Sequence, residues 1–488
     1  MKTGLSIKKI LSLFVILAAV SVNIVYADNK GANGSVAEPE TEWESDEEAD
    51  DEDSTENEGE VDLDDVNTRL NPVIEAEDDE IDIPIPSIIN LKENHIAFNG
   101  ADWSRVRSAA AVSATRPFSI VNIGDSHIQA DIGTGTIREL LQYDLGNAGR
   151  GIITPLKMSG TNEPTDYTFS STRSWSATKL MSARWDNVMG FTGTSIKYRG
   201  TEGDLTLGTS ERDDYNPFSS VTIFHSGKME VGRVTDQDGN ELNFRSIPSR
   251  DYTQILLSTS VTRVKVYFTA VGDLTVYGAS LSGERPGVYY HAIGNNGATY
   301  DTYNRIGNVG AGIAPLHPEL VIISLGTNEA FGHVSSEAFY RSINRLVDNI
   351  RYSNPEAQIL LVTPMECQKS VYTTVKKKVK VPVRKKSRKG KSRKTGKYTT
   401  KTVNTRVKSY GVNTSVKTLR DVIIKYGREN GIAVYDWYSV AGGDGASGRW
   451  IQEGLFSKDR VHHSYKGYHL QGRLLYEALI EALTSTTK

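Results

Sequence analysis

The chain has 488 residues, 56 Lys/Arg, 60 Asp/Glu and a formal net charge of −4, and is long enough for two or three domains. Its one cysteine, Cys367, excludes an internal disulfide framework and a lipid-modified cysteine at an N-terminal cleavage site. The charge average hides two opposed blocks: residues 28–82 hold 24 Asp/Glu against Lys30 and Arg69, while residues 369–408 hold 17 Lys/Arg and no acid. The remainder is nearly neutral, so both blocks are local features.

Lys2, Lys8 and Lys9 precede an apolar run from Ile10 to Val22, and Val25-Tyr26-Ala27 ends in a small residue. This layout predicts a secretory signal peptide over residues 1–27, since the run is short for a membrane span. Residues 28–88 read as an acidic linker too poor in apolar residues to offset chain entropy, and therefore disordered. Ile83-Pro84-Ile85-Pro86 marks an extended entry into the folded part.

From residue 89 the pattern is α/β. Strands are expected over 118–123, 319–324, 358–363 and 432–435, and helices over 131–145, 336–352, 415–430 and 465–484. Continuous apolar strands between amphipathic helices predict a parallel sheet sandwiched by helices. Residues 157–284 break the rhythm with short alternating segments (Ser220–His225, Gln254–Leu257, Val264–Phe268, Leu274–Tyr277) and turn signals at Asp238-Gly239 and Gly272-Asp273. They predict an all-β sandwich inserted between a first part, 89–156, and a second part, 285–488, of the α/β domain. Inside the second part, 371–383 and 397–408 are β-branched and strand-like around a tip of Lys, Arg, Ser and Gly. A protruding basic arm over 369–408 is expected, with a disordered loop as the alternative.

Ser126 follows the 118–123 strand and precedes a helix, the position where open α/β sheets bind ligands. A serine there has a helix N-terminus nearby to favour developing negative charge. Gly-x-Ser-x-Gly is absent around it, which argues against an α/β-hydrolase elbow. A serine nucleophile needs a base; His462 is preferred because Asp459 lies three residues before it, with adjacent His463 as the rival. Oxyanion donors are available from the Ser126 N–H, the Gly297 loop and the Asn328 amide, with Gly294 an alternative to Gly297. No His/Cys/Asp/Glu grouping has metal-ligand spacing, so no metal and no other cofactor is expected.

Gly124-Asp125-Ser126, Gly297, Gly326-Thr327-Asn328 and Asp459-x-x-His462 resemble, in order, the four blocks of the SGNH/GDSL hydrolase family. The resemblance implies Ser126 as nucleophile, His462 and Asp459 as the rest of a triad, and Ser126, Gly297 and Asn328 as the oxyanion hole. Gly124–Asp131, Gly149–Ile152, Gly190–Gly193, Gly326–Phe331 and Lys466–Tyr468 resemble bacterial peptidoglycan O-acetylesterases, which carry a carbohydrate-binding-module-like β-sandwich between the first two blocks. The implied activity is removal of O-acetyl groups from an envelope glycan by an exported periplasmic or cell-surface enzyme. A lipase, thioesterase or glycan O-acetyltransferase would use the same triad; a non-catalytic glycan-binding surface protein would not need it. Residues 1–88 and 369–408 fall outside the resemblance. For the basic arm the expected partner is an anionic polymer or membrane surface rather than nucleic acid, and pairing with the acidic linker is a further expectation.

Overall fold

The computed structural model describes residues 84–210, 216–386 and 392–485, so the expected signal peptide and nearly all of the acidic linker lie outside the described residues. Six strands form the central sheet: β1 (Ile96–Ala97), β2 (Phe118–Gly124), β3 (Val288–Gly294), β4 (Leu320–Ser324), β5 (Gln358–Val362) and β6 (Ala433–Tyr435). Their order is β1-β6-β5-β4-β2-β3. Neighbours from β6 to β3 run parallel, and the two-residue β1 pairs antiparallel at the edge.

Alternation explains why most strand positions are apolar. Val121, Ile123, Val321, Ile323, Ile359 and Leu361 join one core, whereas Phe118, Ile120, Leu320, Ile322, Leu360 and Val362 join the other. A sheet with both faces covered needs apolar residues at every position. Helix Ser336–Ser353 seals the first face with Phe339, Ile343, Leu346, Val347 and Ile350, which share one stripe. Ser335 caps it by accepting the Ala338 N–H at 3.2 Å. Helices Ile132–Leu145 and Tyr465–Thr484 cover the second face through Ile137, Leu141, Leu470, Leu474 and Leu479.

Between the first two long strands of this sheet lies a nine-stranded antiparallel network spanning Gly151–Ser282. Its two longest strands, Phe218–Thr235 and Arg263–Ser282, pair along most of their length, with register shifts between Val271 and Thr275 and again between Val276 and Gly278. Gly272-Asp273, expected to be a turn, is instead part of such an irregularity: Gly272 has φ +77° inside the strand. A bulge uses the same Gly signal as a turn without ending the strand. Asp238-Gly239 does turn, closed by the Asp236 N–H donating to Asn240 O at 2.9 Å. Phe169, Ile196, Leu205, Val221, Ile255, Val266 and Val276 fill the network's own core.

The basic segment forms a two-stranded antiparallel ribbon, Gln368–Lys386 with Ser392–Val412. The disordered-loop alternative does not hold for its described strands.

Candidate functional site

Strand register brings the separated blocks to one rim. Gly124 of β2 lies beside Gly294 of β3 and Ser324 of β4, so the loops leaving these three strands share one end of the sheet. Ser126 begins the short helix Ser126–Gln129, with Asp125 as N-cap accepting the His127 N–H at 3.0 Å. At this first helical position the Ser126 N–H has no intrahelical acceptor.

Gly294 and Gly297 differ in what they require. A Cβ on Gly294 would collide with the Gln129 backbone, so glycine there lets β3 pass under the serine helix. Gly297 has φ +78° and sits in a turn closed by the Ala298 N–H donating to Asn295 O at 3.0 Å. Asn328 Nδ2 donates to Ala298 O at 3.0 Å and reaches Asp125 Oδ2 at 3.4 Å, tying the loops after β2, β3 and β4 together.

The fourth block is shaped by its own carboxylate. Asp459 Oδ1 accepts the N–H groups of Val461 (2.8 Å) and His462 (2.9 Å), a local turn in which Arg460 adopts φ +63°. Asp459 Oδ2 lies 2.7 Å from His462 Nδ1, and His462 Nε2 lies 2.7 Å from Ser126 Oγ. Burial would raise the Asp459 carboxyl, but the hydrogen bond from His462 and the N–H groups of Val461 and His462 hold it below the usual carboxylate range. An ionised carboxylate only accepts, so Nδ1 carries the proton and Nε2 presents its lone pair to the serine hydroxyl.

The rival, His463, faces elsewhere. Its ring packs among Trp450, Phe456 and Tyr468 at centroid distances of 5.0, 5.4 and 4.9 Å, and burial above all pushes it down to about 3. His291 accepts the Ile152 N–H and His469 bonds Thr136, so both serve the framework.

Three further residues of the rim lie within the resembling blocks, but their sequence positions assign them no role. The His127 ring stands 5.1 Å from that of His462, and its Nδ1 accepts the Tyr468 hydroxyl at 3.0 Å. Burial and the neighbouring His462 and His463 lower its basicity well below the usual range, keeping it neutral beside His462. Gln129 accepts the Asn296 N–H at 2.8 Å and donates to Asn162 Oδ1 at 2.8 Å, joining the serine helix to the loop after β3 and to a segment leading into the inserted sheet. Glu329 accepts the Tyr300 N–H at 2.8 Å, and burial raises its carboxyl to about 8. Asp125, buried directly behind the serine, is raised to about 6, mainly by desolvation. A cavity of about 220 Å³ opens next to Gln129, Asn295 and Asn296, with Lys179–Ser182 of the insert as its far wall.

Known proteins can now be set beside this geometry. Residues 268–470 match the GDSL-like lipase/acylhydrolase family, a span that contains Gly297, Asn328, Asp459 and His462 but not Ser126. No protein of curated function matches the sequence. A solved structure of a peptidoglycan O-acetylesterase is similar at 21% identity and TM-score 0.59, covering 80% of this chain and 99% of that one. A lipase/acylhydrolase from Enterococcus faecalis has 17% identity and TM-score 0.26, covering 41% and 80%. A family two carbohydrate esterase mutant from Clostridium thermocellum has 11% identity and TM-score 0.26, covering 64% and 98%. The family match falls mainly on the α/β part that holds the rim, and the fold of the chain resembles that of a peptidoglycan O-acetylesterase.

Proposed function

We propose that the protein removes O-acetyl groups from an envelope glycan, peptidoglycan being the preferred substrate, through a covalent acyl-enzyme. The observation that carries the reading is the unbroken relay from Ser126 Oγ through His462 to Asp459, with both links at 2.7 Å. Ser126 attacks the acetyl carbonyl while His462 Nε2 takes its proton. Asp459 holds the imidazole and stabilises its cation. The N–H groups of Ser126 and Gly297 and the Asn328 amide receive the oxyanion. His462 then protonates the departing sugar oxygen, freeing it as a hydroxyl, and water, activated by the same base, releases acetate and restores Ser126.

The glycan enters the reading from two directions. The cavity beside the serine helix is walled by polar groups from both the α/β part and the insert, as a sugar subsite requires. The similar solved structure is of a peptidoglycan O-acetylesterase. Residues 1–27 as an export signal and 28–88 as a tether would place the enzyme in the periplasm or at the cell surface.

The test is acetate release from O-acetylated peptidoglycan, acetylated xylan and a short aryl acetate by wild type and Ser126→Ala. The expected result is release from peptidoglycan that the variant loses while keeping its thermal unfolding profile. Substantial turnover by Ser126→Ala would refute the nucleophile; aryl acetate cleavage without release from either glycan would refute the substrate.

A further inference from the structure

The ribbon's register sorts its side chains onto two unlike faces. Tyr372 pairs with Lys408, Thr374 with Arg406, Lys376 with Asn404, Lys378 with Thr402, Lys380 with Thr400, Pro382 with Tyr398 and Ser370 with Tyr410. Directly paired residues, and every second residue along a strand, share a face. One face therefore carries Lys376, Lys378, Lys380, Arg406 and Lys408 interleaved with Tyr372, Tyr398 and Tyr410. The opposite face carries Val371, Val375, Val379, Val381, Val403 and Val407, with Lys369, Lys377 and Lys401 among them.

The cationic face is open and aromatic. Tyr398 is 67% exposed and Tyr372 40%. The Arg406 guanidinium stacks 4.6 Å from the Tyr372 ring centroid. Each strand runs about 60 Å at ~3.3 Å per residue. A row of cations set between upright tyrosines suits a linear polymer that alternates flat sugar rings with anionic groups: rings stack on tyrosines and carboxylates meet lysines.

The root of this face lies on the loop that holds Asp459 and His462. Gln368 N–H donates to Arg460 O at 3.0 Å, and Arg460 Nη1 donates to Gln368 Oε1 at 3.0 Å. The Arg460 guanidinium stacks 4.1 Å from the Tyr410 ring. Arg460 is the residue after Asp459 and two before His462, so a chain lying along the face is led to the rim of the site.

The geometry points to the Lys/Arg/Tyr face of the ribbon as a docking track for a carboxylate-bearing glycan strand, delivered at Arg460 to the esterase site. The choice of a glycan over other anionic polymers rests on the esterase reading; the two-faced track does not. Binding, not turnover, therefore tests it. Full-length protein carrying Ser126→Ala is cosedimented with purified peptidoglycan sacculi stripped of O-acetyl groups, whose peptide stems carry carboxylates. Lys376→Gln/Lys378→Gln/Lys380→Gln should weaken sedimentation about tenfold at low salt. Lys369→Gln/Lys377→Gln/Lys401→Gln removes the same charge from the other face and should leave it within about twofold, as should Lys→Arg at the first three positions. With Ser126 intact, all three sets should hydrolyse an aryl acetate at the wild-type rate. Equal losses from both faces, or none from the first, would overturn the track. Tighter binding to phosphatidylglycerol-containing vesicles or to duplex DNA than to sacculi, lost in the same variant, would overturn its occupant.

Discussion

At the scale of residues, the rim works by fixing protonation states through burial. Asp459 stays ionised because His462 bonds it, whereas Asp125 and Glu329, with no cation bonded to them, are raised to about 6 and about 8. Glu329 thus holds a proton in the folded state that the unfolded chain releases near its ordinary value of 4.5. The folded state binds more protons over that interval, so this group's contribution to stability is full below about pH 4.5 and is lost as pH rises toward 8. Glu329→Gln should flatten that fall, as urea titrations at pH 5 and pH 8 would register; an unchanged slope would discount the buried acid. Asn328 is proposed to give an amide to the oxyanion, and Asn328→Ala should lower kcat ~100–1000-fold, with a modest fall in melting temperature from the lost loop contacts. A loss confined to KM would remove it from the oxyanion hole. Ser126, Gly297, Asn328, Asp459 and His462 could be named as candidates because acyl transfer needs those residue types and their order resembles the four blocks of a known family. The roles of His127, Gln129 and Glu329 were not legible, since an imidazole, amide or carboxyl has no assignable partner or state until its neighbours are known.

At the scale of elements, the junction after the serine helix is held by charge. Asp131 links helices Ser126–Gln129 and Ile132–Leu145 at φ +53°, an uncommon conformation for a residue with a side chain. Its buried carboxylate bonds Arg138 at 2.9 Å, Arg150 and Thr134, and both arginines also bond Asp166 at the edge of the insert. Burial would raise this carboxyl, yet the facing guanidinium groups bring it below the usual range. Asp131→Ala should cost about 3–5 kcal/mol by leaving two buried guanidinium groups short of an anion. Removing the exposed partner Glu356 of Arg105 should cost about 1 kcal/mol or less. Chemical denaturation of both variants checks the contrast, and equal effects would contradict it. Most long elements could be read from periodicity, helix Ser336–Ser353 and strand Leu320–Ser324 among them. Strand Val288–Gly294 could not: Tyr289, Tyr290 and His291 interrupt the apolar run, and only pairing with Phe118–Gly124 makes it a strand. The Gly272 bulge failed as a turn for a related reason, because one glycine serves both geometries.

At the scale of the molecule, the parallel sheet and an inserted β region were legible because patterning changes period between them. How the two meet was not, since Gln129, Asn162, Arg150 and Asp166 are polar residues with no periodicity that come together only in the folded chain. The same long reach sets the order of events during synthesis. The hydrogen bond between Ser126 and His462 spans 336 residues. Edge strand Ile96–Ala97 pairs with Ala433–Tyr435, and helix Ile132–Leu145 packs on helix Tyr465–Thr484. At ~5–20 residues per second, Ser126 is made roughly 15–70 s before His462. The ribbon, whose strands pair across a short connection, is free to form within that interval. A growing chain thus carries Ser126 with no imidazole beside it, and the proposed site is complete only once the segment that bears His462 has been made.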